Sequence, residues 1–262
     1  MAAALAAESI DLLGVHCHIG SQIFEAEGFG LAAGRVLEFL AEVKAEHGVE
    51  LAELDLGGGF GIAYTSADDP TPIEELATGI VDAVARECDV RGIPVPNLAF
   101  EPGRSIIGRS GVTIYEVGTI KPVALEDGAS RLYVSVDGGM SDNIRTALYD
   151  ASYTCVLANR TSDAPPALCR VVGKHCESGD ILVRDLWLPS DVAPGDLLAV
   201  AATGAYCWSM ASNYNYLLKP PVVAVREGVA TEIVRRQTLS DVFALDAVLA
   251  DRPAPPVAPS QP

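Results

Sequence analysis

The chain has 262 residues, 49% of them hydrophobic, and a formal charge of −17 from 35 acidic and 18 basic side chains. So acidic a surface repels phosphate backbones and anionic lipid, which excludes nucleic acid and membrane surfaces as expected partners. No apolar run approaches the ~18 residues of a membrane span, and the opening MAAALAAESIDLL lacks the basic start of a signal peptide, so a cytoplasmic location is expected.

In chain order, MAAALAAESIDLL reads as the end of a helix and IDLLGVHCHIG as a buried strand. GFGLAAGRVLEFLAEVKAEHG follows as a helix, with Leu31, Val36, Leu37, Leu40 and Val43 near helical spacing and Gly48 as its stop. LAELDLGGG is the next strand. PTPIEELATGIVDAVARECDVRG is the next helix, opened by proline and acidic residues and closed by Gly92. NLAFEPGRS gives a third strand, and this alternation predicts parallel α/β architecture over residues 1–105.

Beyond Ser105 the pattern turns into short β-rich runs separated by turn residues: GVTIYEVGTIKPV, RLYVSVDGG, ASYTCVLANR, ALCRVVGKHC, DILVRDLWLP, DLLAVAATGAY and VVAVREGVATEIVRR. They predict an all-β domain over 106–249, a sandwich or Greek-key barrel. Residues 250–262 are proline-rich and are expected to form a disordered tail. The six cysteines, at 17, 88, 155, 169, 176 and 207, show neither CxxC pairs nor zinc spacing and read as small buried hydrophobes.

Several stretches carry polar groups where a strand meets a turn. LDLGGGFGI is either a tight strand-to-helix connection or a nest of backbone N–H groups suited to an anion, with Gly58 and Gly59 at its centre. GVHCHIGSQ puts His16 and His18 two residues apart on a strand. They have no carboxylate close by in sequence, so no metal is expected, but an imidazole there can stack on a flat ring and Ser21 can donate to a phosphate. Glu101 ends the third strand, and Pro102 and Gly103 turn the chain into Arg104. A carboxylate so placed can keep a pyridine nitrogen protonated, and a guanidinium can fork onto a carboxylate or phosphate. In the β region, Arg145 and Tyr149 stand at i, i+4 after a Gly-Gly turn, Cys176 and Glu177 occupy a loop, and Tyr206 follows another glycine turn.

HCHIGSQ, LDLGGGFGI, EPGRS, VDGGMSDNIRTALY, GKHCESGD and GAYCWSM, in this order, resemble the diaminopimelate decarboxylases, pyridoxal-phosphate enzymes of the alanine-racemase-like fold group. The resemblance covers residues 8 to 245. Ornithine, arginine and carboxynorspermidine decarboxylases share the histidine, glycine and EPGR elements, whereas CESGD and SDNIRTALY point to the diaminopimelate members. It implies the C-terminal portion of a pyridoxal-phosphate-binding (β/α)8 barrel followed by a β domain. His18 stacks on the cofactor; Ser21 and Gly59, with the loop around them, hold its phosphate; Gly58, Gly103 and Arg104 also contact the cofactor; Glu101 meets its pyridine nitrogen. Arg104, Arg145, Tyr149, Glu177 and Tyr206 bind the substrate meso-diaminopimelate, Tyr206 touching the cofactor as well. Cys176 is the proton donor, supplied across a homodimer.

The lysine that carries the cofactor as a Schiff base in that family has no counterpart among Lys44, Lys121, Lys174 and Lys219. Lys44 sits among charges late in a helix, and Lys174 lies in the β region. The chain is therefore expected to represent the C-terminal part of such an enzyme and to be inactive alone. The alternatives are a decarboxylase of another basic amino acid and a non-catalytic homologue that acts by binding a partner.

Overall fold

The computed structural model describes residues 1–126 and 128–248; the expected tail over 250–262 lies outside the described residues. Two compact units divide the chain, Met1–Gly111 and Val112–Pro262. The first runs past Ser105 because the EPGRS segment does not stay extended: it continues into helical turns.

In the first unit, a one-turn helix α1 (Ala2–Leu5) precedes strand β1 (Gly14–His16), helix α2 (Ala26–His47), strand β2 (Glu53–Asp55), helix α3 (Ile73–Arg91), strand β3 (Asn97–Ala99) and the short helix α4 (Gly103–Ile107). The strands form a parallel sheet in the order β1-β2-β3. Its register sets His16 beside Asp55 and Asp55 beside Ala99.

Both long helices start and stop for local reasons. Pro72 precedes α3, Glu74 and Glu75 face the positive end of its dipole, and Gly48 and Gly92 close α2 and α3 in the left-handed conformation. The buried stripe of α2 is Phe29, Ala33, Leu37, Leu40 and Val43, packed against Leu54, Leu56 and Phe60 and against Leu76, Ile80, Val84 and Cys88 of α3. Leu31, expected on that stripe, is 62% exposed, because Phe29 and Ala33 occupy the inward rows and turn Leu31 outward. The IDLLGVHCHIG segment is also less buried than expected: Ile10 and Leu13 are exposed and the strand is three residues long. Only β2 has a neighbour on each side among the described residues, and burial follows that position.

The second unit contains β4 (Thr113–Ala124), β5 (Ser130–Val136), the helical turn α5 (Arg145–Tyr149), β6 (Cys155–Leu157), β7 (Pro166–Val172), β8 (Ile181–Pro189), β9 (Leu197–Val200), the hairpin β10 (Val222–Arg226) and β11 (Val229–Val234), and the turn α6 (Leu239–Val242). Six strands make one mixed sheet in the order β6-β9-β4-β5-β7-β8, antiparallel except for the β5–β7 pair, and β10–β11 stand as a separate ribbon. Alternate residues turn inward, among them Tyr115, Val117, Val134, Val136, Cys169, Val171, Leu198 and Val200. Four of the six cysteines are buried as expected, Cys17 is half-buried, and Cys176 is exposed. No helix among the described residues is long and apolar enough to cross a membrane.

Candidate active site

Each unit carries its own cluster of polar groups. In the first, parallel pairing brings the C-terminal ends of β1, β2 and β3 to one edge of the sheet, where open α/β sheets place their ligands. His16 Nε2 lies 3.4 Å from Glu101 Oε2. Ligand atoms of His16, Asp55 and Glu101 all fall within 4.8 Å of one another. The sheet supplies His16 with carboxylates that its sequence neighbours do not: Asp55 comes from the adjacent strand β2 and Glu101 from the segment just after β3. Asp55 Oδ1 accepts the Gly57 N–H at 2.8 Å, so this carboxylate also shapes the turn that follows β2.

The paired histidines do not act together. The strand ends at His16, and the exposed His18 instead accepts the Gly58 N–H on Nδ1 at 3.3 Å. The three glycines prove necessary for backbone packing. A side chain on Gly59 would stand 2.2 Å from the Gly20 carbonyl at a φ of +98°, and one on Gly58 would stand 2.4 Å from the Glu101 carbonyl. The glycine run thereby seats the strand ends that carry Glu101 and the HIGSQ loop.

Arg104 lies on α4 at the same edge. Its Nη2 donates to Ser21 Oγ at 2.8 Å and its Nη1 to the hydroxyl of Tyr64, whose ring the guanidinium also overlies at 5.7 Å. A cation and two hydroxyls brought together in this way form a donor set for an oxyanion. Tyr64 was not evident as a site residue from sequence; its only local signal is an aromatic hydroxyl a few residues after the glycine turn. Gly103 opens α4 and is exposed.

The second unit builds its cluster on buried charge. Asp180 is 3% exposed and accepts the Met140 N–H on Oδ1 at 2.6 Å and the His175 N–H on Oδ2 at 2.7 Å. One carboxylate thus joins the GGM turn to the loop carrying Cys176 and Glu177. A side chain on Gly173 would meet Asp180 Oδ2 at 2.2 Å, which explains the glycine there. His175 Nε2 lies 2.9 Å from Ser141 Oγ, and the Lys174 N–H donates to the Gly138 carbonyl. Asp142 accepts from Gly139 N–H and from the Tyr115 hydroxyl; burial pushes both Asp142 and Tyr115 above their ordinary pKa ranges. Cys176 and Glu177 stand exposed above this base.

Arg145 and Tyr149 share the turn α5 but not an environment. Arg145 is 6% exposed and donates to the Tyr153 hydroxyl at 2.6 Å, while Tyr149 is 60% exposed. Tyr153 lies 3.5 Å from Cys207 Sγ, and burial holds its phenol well above the ordinary range. Tyr206, 44% exposed, adopts a φ of +62° that few non-glycine residues take. Asp180, Ser141, His175 and Tyr153 were not singled out as site residues from sequence. Asp180, Ser141 and His175 act through partners 34 or more residues away, and Tyr153 through Arg145 eight residues back, at no spacing that marks a motif.

Residues 1–108 match the family described as "Pyridoxal-dependent decarboxylase, pyridoxal binding domain", and residues 80–204 match "Pyridoxal-dependent decarboxylase, C-terminal sheet domain". The chain belongs to the pyridoxal-dependent decarboxylases. It is 55% identical over 245 residues to the diaminopimelate decarboxylase of Mycobacterium tuberculosis, covering 92% of this chain and 55% of that protein. It is 53% identical to that of Corynebacterium efficiens, with 93% and 53% covered. The crystal structure of diaminopimelate decarboxylase from M. jannaschii in co-complex with L-lysine superposes with a TM-score of 0.84 at 33% identity, covering 94% of this chain and 54% of that one. The chain spans about half the length of the curated relatives it matches.

The first unit suits this family's cofactor by the chemistry of its donors. Arg104, Ser21 and Tyr64 match a phosphate, the exposed Glu101 carboxylate matches a protonated pyridine nitrogen, and the exposed His18 offers a flat ring. The lysines lie elsewhere: Lys44 is paired with Glu50 at 2.7 Å on the last turn of α2, and Lys174, Lys121 and Lys219 belong to the second unit.

Proposed function

We propose that this chain supplies part of the pyridoxal-phosphate site and the sheet domain of a diaminopimelate decarboxylase, which converts meso-2,6-diaminopimelate to L-lysine and CO2. The Arg104–Ser21–Tyr64 donor set, beside Glu101 at the ends of parallel strands, is the observation that carries this reading. The identity to diaminopimelate decarboxylases supports the choice of substrate. In the same reading the three parallel strands are an arc of a (β/α)8 barrel and the six-stranded sheet is a Greek-key barrel. The enzyme is a cytoplasmic homodimer with shared active sites.

When bound, pyridoxal phosphate supplies an electron sink for the pair left as CO2 departs. The residues of this chain position and protonate around it. Arg104, Ser21 and Tyr64 hold the phosphate, with the Gly57–Gly59 turn and Gly103 shaping its surroundings. Glu101 keeps the pyridine nitrogen protonated, His18 covers a ring face, and Tyr206 touches both cofactor and substrate. Arg104 serves the substrate's reacting end as well as the phosphate. Arg145, steadied by Tyr153, provides a charge for a substrate carboxylate, and low exposure leaves that charge poorly screened by water. Glu177 and Tyr149 meet the distal end. Cys176 of the second copy gives its thiol proton to the carbon that lost CO2; the S–H bond breaks, the C–H bond forms, and the thiolate takes a proton back from water.

The deciding experiment measures CO2 release by the chain joined to the remaining part of the fold that its relatives carry, with meso-diaminopimelate, ornithine, arginine and lysine as substrates. Turnover of meso-diaminopimelate alone is expected. Equal turnover of ornithine, which lacks the distal carboxylate, overturns the substrate assignment.

A further inference from the structure

We propose that Tyr214 is a positioning residue that sets the charge preference at the distal end of the substrate, by holding the Glu177 carboxylate through a hydrogen bond from its phenol. The inference rests on the reading above, in which Glu177 meets the distal ammonium group.

The Tyr214 hydroxyl donates to Glu177 Oε1. Without such a partner the exposed Glu177 side chain would sample its rotamers, and ordering it on binding would cost conformational entropy. With Oε1 engaged by a neutral donor, the carboxylate keeps its charge and presents its remaining acceptor capacity to a cation. Tyr214 is itself held. Its ring lies 5.3 Å from that of the buried His175, at 40°, and His175 is fixed by Asp180 through its N–H and by Ser141 through its imidazole.

The backbone around Tyr214 is pinned on both sides. The Ser212 N–H donates to the Ser141 carbonyl at 2.8 Å, and Asn213 Nδ2 donates to the Leu217 carbonyl at 2.7 Å and to Gln237 Oε1 at 2.6 Å. The turn Tyr214–Tyr216 holds Asn215 and Tyr216 at φ of +52° and +57°, a left-handed conformation that non-glycine residues keep only where the surroundings impose it. The hydrogen bond to Glu177, and after it desolvation and then the Glu177 charge, raise the Tyr214 phenol above its ordinary range, so it remains a donor through neutral pH.

Two measurements test this. In the completed enzyme, Tyr214→Phe is expected to raise KM for meso-diaminopimelate roughly tenfold with kcat nearly unchanged, the size of one lost hydrogen bond to a charged group at an exposed site. The same substitution should leave KM for D-2-aminopimelate, which lacks the distal ammonium, within twofold. An equal rise for both substrates, or for neither, overturns the proposal. In the 262-residue chain itself, the Cζ carbon of Tyr214, followed by NMR, should titrate above the ordinary tyrosine range and return towards it in Glu177→Gln. Identical titration in the two proteins also overturns the proposal. Absence of turnover of meso-diaminopimelate by the unsubstituted enzyme defeats the parent reading instead, and the titration, which needs no substrate, still decides whether Tyr214 holds Glu177.

Discussion

The two units place their functional groups by opposite means. The first puts His18, Ser21 and Glu101 at strand ends, exposed, and aims them through backbone geometry: parallel register, a glycine run and a one-turn helix. The second buries Asp180, His175, Ser141 and Arg145, and lets Cys176 and Glu177 protrude from a loop that the first three anchor. In the first case the chain's path does the aiming, and side chains can change without unmaking the fold. In the second, a buried carboxylate does it, and the site and the stability of the unit depend on the same hydrogen bonds.

Asp180→Ala should break this contrast most sharply. Two backbone donors to one buried carboxylate are lost, which predicts about 4 kcal/mol of destabilisation. Both tryptophans, Trp187 and Trp208, lie in the second unit, so urea unfolding followed by tryptophan fluorescence reads that unit alone. A midpoint unchanged from wild type would show that the carboxylate does not organise the loop. Gly59→Ala is the counterpart in the first unit. Strain at positive φ and collision with the Gly20 carbonyl predict a loss of about 3 kcal/mol. Circular dichroism at 222 nm follows α2 and α3, the longest helices; the helical transition should move while the tryptophan transition stays in place. Movement of both together would mean that the units do not unfold separately.

The smallest effect concerns pH. The folded Asp142 carboxyl titrates above its unfolded value, because burial disfavours its charge. The native state therefore binds this proton more tightly than the unfolded chain, so the contribution is complete below the unfolded value and is lost as pH rises through the folded one. Relative to Asp142→Asn, the wild type should be at its best in acid and lose ground on approach to neutrality, as read by urea midpoints at successive pH values. A difference that grows with pH would reverse the sign and refute the burial argument.

Much was legible before any folding was considered. Helical periodicity and glycine stops located α2 and α3, and short β-rich runs located the second unit, because these signals are local. Motif order identified the family and named Ser21, Glu101 and Arg104, which the structure brings to one edge. The inward face of α2 was misassigned through Leu31, since helical spacing alone does not say which of two overlapping stripes meets the sheet. The EPGRS strand ended early because Pro102 and Gly103 lead into a helix rather than a turn.

The sequence by itself determined which groups this protein has to work with: the arginine after EPG, the strand-end carboxylate, the loop cysteine and the excess of acidic residues. Only the tertiary structure decided their partners. Parallel register put Asp55 and Glu101 beside His16, Tyr64 reached Arg104 across 40 residues, and Asp180 reached Met140 across as many. Residue type is written along the chain, whereas desolvation and hydrogen-bond pairing depend on distance in space, and distance is settled only when the strands align.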